Sequence, residues 1–197
     1  MELRLYDRSD APEILRLWNG AGVSAGYAPL DAAALDELLL AHAAFCPESA
    51  FVLAESGAIC GFAAGCTGED LAQGAVRGYV SCVLLDRAHD TAGNTAALLG
   101  AVERSFLAKG KRVAAVTFFN PLRLPWIIPG TPGFQHNNMP GIPKDLPLYE
   151  RMLALGYREA ATEMAMVLDL AGFTYPAALE EREAAMAAQG YTVDWYR

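Results

Sequence analysis

Residues 2–6 (ELRLY) alternate apolar and polar side chains, the period of a strand with one buried face. Ser9, Asp10 and Pro12 then mark a helix start, a side-chain cap followed by a proline whose missing N–H costs nothing there. Ile14, Leu15, Leu17 and Trp18 give that helix its apolar face, and Gly20 and Gly22 end it. A second helix is predicted from near Asp31 through ALDELLLAHAAF. Leu35, Leu38, Leu39 and His42 share one side of it, and Cys46-Pro47 is its stop. AFVLAE and AICGFAAGC, joined by Ser56-Gly57, read as a β-hairpin with a tight turn. GYVSCVLL (78–85) is almost wholly apolar, which predicts a central strand buried on both faces. After the polar residues 86–93, a long helix carries Leu98, Val102 and Phe106 every four residues, widened by Leu99 and stopped at Gly110. KRVAAVTFFN (111–120) is the next strand. Strand, loop, helix, strand makes a βαβ unit whose two strands run parallel.

The stretch 121–147 breaks this rhythm. Its seven prolines rule out a helix, yet Trp126, Ile127, Ile128 and Phe134 make it too apolar for a simple linker. PLYERMLALGY predicts a short helix ending at Gly156, and MAMVLDL (164–170) a further strand. The tail reads as one more helix followed by a short strand, YTVDWY. A chain of 197 residues supports one well-buried core and falls short of two ordinary domains. The expected division is a domain over 1–172, with the proline-rich insertion at 121–147, and a helix-plus-strand extension over 173–197.

Charge narrows the partners. The net charge is −8, and an acidic surface repels phosphate backbones and anionic lipid, so neither nucleic acid nor membrane is expected. Cys46, Cys60, Cys66 and Cys82 lack the spacing of a zinc knuckle or redox pair, and His42, His89 and His136 are scattered, so no metal is expected. Free thiols, no leader-like apolar core and no membrane-length apolar run point to a soluble cytoplasmic protein.

The order of elements over residues 2–170 resembles the GNAT N-acetyltransferase superfamily. The local likenesses are LRLYDRSDAPEILRLWN (first strand and helix), FVLAESGAICGFAAG (hairpin), VSCVLLDRAHDTAGNTAALLGAVERSFLAKG (the acyl-CoA motif), FFNP at the end of a strand, and LYERMLALGYRE (the last motif). The resemblance implies a mixed α/β fold: a mostly antiparallel sheet with a parallel central pair and flanking helices. It also implies that the parallel pair splays to admit an acyl-CoA, acetyl-CoA first among them. The physics is coherent. The buried strand delivers the chain to a helix N-terminus, whose unpaired amides and macrodipole hold a diphosphate without basic side chains.

The family's phosphate loop reads Gln or Arg, two residues, Gly, one residue, Gly or Ala. The matching stretch here is Asp90-Thr91-Ala92-Gly93-Asn94-Thr95, so Gly93 is kept while Asp90 and Thr95 depart. With one inserted residue His89 takes the first position. Cap preference alone places Asp90 at the start of the helix. The resemblance assigns cofactor binding to Val83, Leu84, Leu85, His89, Thr91, Ala92, Gly93, Asn94, Thr95 and Asn120. A backbone N–H of 83–85 would polarise the thioester carbonyl. The family's proton-donating tyrosine falls at Met152, and Tyr149, one turn earlier, is the candidate in its place. His136 in the insertion is the second catalytic candidate, and Trp126 and Phe134 are candidate acceptor contacts. The implied activity is transfer of an acetyl or other acyl group to a primary amine, on a small molecule or a peptide. The alternative is an inactive binding or regulatory module. The apolar strand expected in the tail, or the insertion, would support a homodimer.

Overall fold

The computed structural model describes every residue except 129–134, 137, 138, 140, 165, 167–169 and 193–197. It divides into two compact units, Met1–Ala165 and Met166–Arg197. In the first, five strands lie in chain order: β1 (Glu2–Leu5), β2 (Ala50–Glu55), β3 (Ala58–Cys66), β4 (Arg77–Leu85) and β5 (Val113–Ala115). The first four pair antiparallel, and β4 and β5 pair parallel. The β2–β3 turn is Ser56-Gly57, both at positive φ (51° and 85°), as a two-residue hairpin requires. The fold is therefore the mixed α/β sheet expected.

Two cores flank the sheet. On one side α1 (Ala11–Leu17) and α2 (Ala32–Leu35) bury Ile14, Leu17, Trp18, Leu35 and Leu39 against Val52, Phe62 and Leu84. On the other, α3 (Ala92–Ala108) lays Leu98, Leu99, Val102 and Phe106 on Leu53, Ala63, Val80 and Leu85. That stripe is the one the sequence spacing predicts. α3 approaches closely because the sheet offers it glycines. A Cβ on Gly78 would lie 2.3 Å from the Phe106 ring, and one on Gly65 2.4 Å from its far edge. α3 ends at Gly110 (φ 76°), with Gly110 N–H donating to Leu107 and Lys111 N–H to Phe106, the paired bonds of a left-handed stop.

Three elements differ from the sequence reading. α1 runs on through a wide turn over Trp18–Gly22 and continues past both glycines to residue 24 rather than ending at them. α2 also widens, over Asp36–Leu40, and the chain turns there instead of continuing to Phe45. The wide turn sends both Leu39 and Leu40 into the core, and the turning chain sets Phe45 edge-on to Tyr6, 5.5 Å between ring centres. β5 covers only Val113–Ala115 of the expected 111–120, because beyond Ala115 the neighbouring strand no longer accompanies it.

Within the insertion, β6 (Trp126–Ile127) pairs with β7 (Gln135–His136), and Trp126 also bridges to Tyr27. α4 (Pro147–Ala154) closes on Gly156 (φ 95°), with Tyr157 N–H donating to the Met152 carbonyl. In the second unit α5 spans Ala177–Ala187 and is exposed along its length. Most of the strand expected over 164–170, and the end of YTVDWY, lie outside the described residues. No helix among the described residues is long and apolar enough to cross a membrane, and they contain no group of three metal-ligating side chains.

Candidate functional site

The site begins with a bulge. Along β3 and β4 the register steps from Ala64 opposite Cys82 to Gly65 opposite Val80, leaving Ser81 as the extra residue. A bulge bends its strand. On its other edge β4 keeps β5 only from Arg77 to Tyr79, so the parallel pair opens just where the bulge stands. The result is a narrow slot, its walls including Val80–Val83, Val116, Thr117, Asn120, Leu148 and Met152.

The freed backbone is handled in two ways. Asn120 braces the opening. Its Nδ2 donates to the Val80 carbonyl (3.1 Å), and its Oδ1 accepts from Leu122 N–H (3.0 Å) and Ser81 Oγ (3.3 Å). Tyr27 donates to the Ser81 carbonyl (3.2 Å). Further along, Asp86 N–H bonds to the Cys60 carbonyl of β3. Backbone direction alternates along a strand, so Leu84 also faces β3 while Val83 and Leu85 turn their amides to the open edge. Of the three candidates on this strand, Val83 lines the slot and Leu85 packs its side chain in the α3-side core. Leu84 pairs with Phe62 and is buried on the α1 side.

β4 then delivers the chain to the start of α3. Thr91, not Asp90, is the cap: its hydroxyl accepts from Asn94 N–H (3.2 Å), and its extended backbone starts the helix. Asn94 Nδ2 donates to the His89 carbonyl (2.7 Å), and Thr95, fully buried, donates to the Thr91 carbonyl (3.0 Å). His89 turns away to Glu55 of β2 (3.0 Å). The amides of Ala92 and Gly93 have no hydrogen-bond partner among the described residues. Both residues are exposed, and nothing lies within 4 Å of where a Cβ on Gly93 would stand. Asp90 does not obstruct this end, because Arg151 of α4 takes its carboxylate in an ion pair and donates to its carbonyl (2.9 Å). Arg151 also reaches Thr95 Oγ1 (3.4 Å).

The remaining candidates lie elsewhere. Tyr149 is not part of the slot wall; it donates to Glu159 (2.7 Å), and that hydrogen bond raises the pKa of the phenol, so Tyr149 keeps its proton. Glu159 itself, held by Lys144, Thr162 and Tyr149, is brought down to about 2. His136 is half-buried beside Phe118, 5.5 Å between ring centres. Trp126 is buried in the α1-side core beside Gly26, with its indole N–H unpaired, rather than lining the slot. Phe134 lies outside the described residues. Burial pushes the Cys82 thiol in the slot wall up to about 12 and that of Cys66 behind it to about 11, so neither offers a thiolate near neutral pH. Arg151 is the residue that sequence reasoning missed. A partial signal was present: no acidic residue stands three or four positions from it along α4, so its partner had to come from elsewhere in the chain.

No family model matches the chain, and no curated protein matches it. Solved structures do. An acetyltransferase of Trypanosoma brucei matches with a TM-score of 0.53 and 22% identity, over 85% of this chain and 99% of its own. AAC(6')-Iy, solved in complex with the bisubstrate analogue CoA-S-monomethyl-acetylneamine, matches with a TM-score of 0.54 and 16% identity, over 85% of this chain and 97% of its own.

Proposed function

Because this chain has the fold of the GNAT acetyltransferases, we propose that it is an acyl-CoA-dependent N-acyltransferase that acylates an amine. The observation that carries the reading is the pairing of an open slot between β4 and β5 with an unpaired helix N-terminus at the end of the same strand. The residues present fit the cofactor. The Ala92 and Gly93 amides and the α3 macrodipole suit a diphosphate, which an acidic chain binds more readily through backbone than through a basic patch. Val83 and Leu85 offer backbone groups to an extended arm lying along β4, as a further strand would. Acyl-CoA, when bound, supplies an activated thioester.

The chain's own part in the transfer is positioning and polarisation. The Val83 or Leu85 N–H stabilises charge developing on the thioester oxygen. Asn120 keeps the slot open by satisfying the Val80 carbonyl that β5 has left. The acceptor enters as a neutral amine. Tyr149, held protonated, is the candidate donor to the departing thiolate, and His136 the candidate base. Neither is among the slot-wall residues, so the Tyr149→Phe and His136→Ala variants decide these two roles. A small-molecule amine is the favoured acceptor class, supported by the aminoglycoside-derived analogue in the AAC(6')-Iy structure. Thermal unfolding with acetyl-CoA, followed by thiol release on a panel of amines, tests the reading. Stabilisation without any thiol release favours the second reading, a binding module. That reading draws on the absence of any carboxylate, imidazole or ammonium group among the described slot-wall residues.

A further inference from the structure

The two departures in the phosphate loop have one explanation. Asp90 stands where the family's cation or amide would be, and Thr95 where a small residue would be. Both are ligands of the same guanidinium: Arg151 pairs with the Asp90 carboxylate, donates to the Asp90 carbonyl and reaches Thr95 Oγ1. Resting on the acyl-CoA reading above, we infer that Arg151, reaching across from α4, supplies the phosphate-binding cation that the loop itself lacks, with Asp90 and Thr95 as its seat.

Three features support this. First, Asp90 stands two residues before the first free amide of α3, so an unneutralised carboxylate there would oppose a diphosphate. The ion pair removes that opposition. Second, Arg151 is mostly buried, with its side chain 19% exposed, and is held from two sides, whereas an adventitious surface pair would leave it free. The fork geometry suits this, since guanidinium can serve a carboxylate and a phosphate at once where an ammonium is a single point charge. Third, α4 also contributes Leu148 and Met152 to the slot wall. One short helix thus meets both the loop and the slot, and Arg151 ties the position of that wall to the phosphate end.

The test is calorimetric binding of CoA, dephospho-CoA and pantetheine to the full chain. Dephospho-CoA keeps the diphosphate, and pantetheine has none. For Arg151→Met, the loss of charged hydrogen bonds should weaken CoA and dephospho-CoA alike, by about 10- to 100-fold, and leave pantetheine unchanged. Affinity for CoA should also become less salt-dependent. Arg151→Lys should give a smaller loss with the same ligand selectivity, and it carries the test if Arg151→Met loses its native near-ultraviolet circular dichroism. The double variant Asp90→Asn with Arg151→Met should stay weak. Equal losses for CoA and pantetheine, unchanged CoA affinity in Arg151→Met, or full recovery in the double variant would each overturn the inference while the wild-type chain still binds CoA. No binding of CoA by the wild-type chain would instead overturn the acyl-CoA reading itself.

Discussion

Replacing Gly78 by alanine puts a methyl group into the ring of Phe106. The new Cβ would sit 2.3, 2.4 and 2.6 Å from Cγ, Cδ2 and Cδ1 of that ring. Ordinary contact needs more than an ångström of additional separation. Cγ lies on the ring's own rotation axis, so turning the ring leaves it in place, and the far edge is already against Gly65. Relief must come from displacing α3 or β4. Overpacking in a close-packed core costs about 1–3 kcal/mol, and a clash with a clamped ring falls at the upper end, about 3 kcal/mol. Urea unfolding followed by tryptophan fluorescence reads this directly, as a lower midpoint with an unchanged slope. A second variant separates steric clash from other effects of alanine. Phe106→Leu removes the ring and costs stability alone, but combined with Gly78→Ala it should restore part of the loss, giving clear non-additivity. A Gly78→Ala protein within about 0.5 kcal/mol of wild type, or strict additivity in the double variant, would refute this account of how α3 seats on the sheet.

Two further outcomes follow from the site. Asn120→Ala leaves the buried Val80 carbonyl and Leu122 N–H without partners, for a loss of about 2–4 kcal/mol, read as a lower Tm; a change under about 0.5 kcal/mol would deny Asn120 its bracing role. Glu159 has a depressed pKa, so its contribution is fully present above the ordinary carboxylate range and is lost as pH falls through about 2. Side-chain carboxyl shifts in an NMR titration should show that low midpoint, and one near 4 would mean that the Lys144, Thr162 and Tyr149 contacts do not persist in solution.

Much of the fold was legible because local signals agreed. The Ser56-Gly57 turn, the four-residue spacing of Leu98, Val102 and Phe106, and the glycine stops at Gly110 and Gly156 each specify geometry from neighbouring residues alone. The site was less legible because it depends on partners far apart in the chain. Asp90 and Thr91 are both good caps, and the choice between them is settled by Arg151, 61 residues later. The short β5 reflects a bulge at Ser81, which shows only once β3 and β4 are in register. Trp126 reads as an acceptor contact by sequence, yet it pairs with Tyr27 and packs in the core. The shortened α2 is similar: Ala-rich helical spacing continues through residue 45, but Phe45 is set edge-on to Tyr6, just past β1.

The most direct measurement is an amide NMR titration of the full chain with acetyl-CoA. The Ala92 and Gly93 N–H resonances should move downfield as hydrogen bonds form, with smaller changes at Val83 and Leu85 and none at residues of α1. Saturable binding that leaves Ala92 and Gly93 unmoved, or no response to acetyl-CoA at all, would contradict the assignment of this helix end and slot to an acyl-CoA.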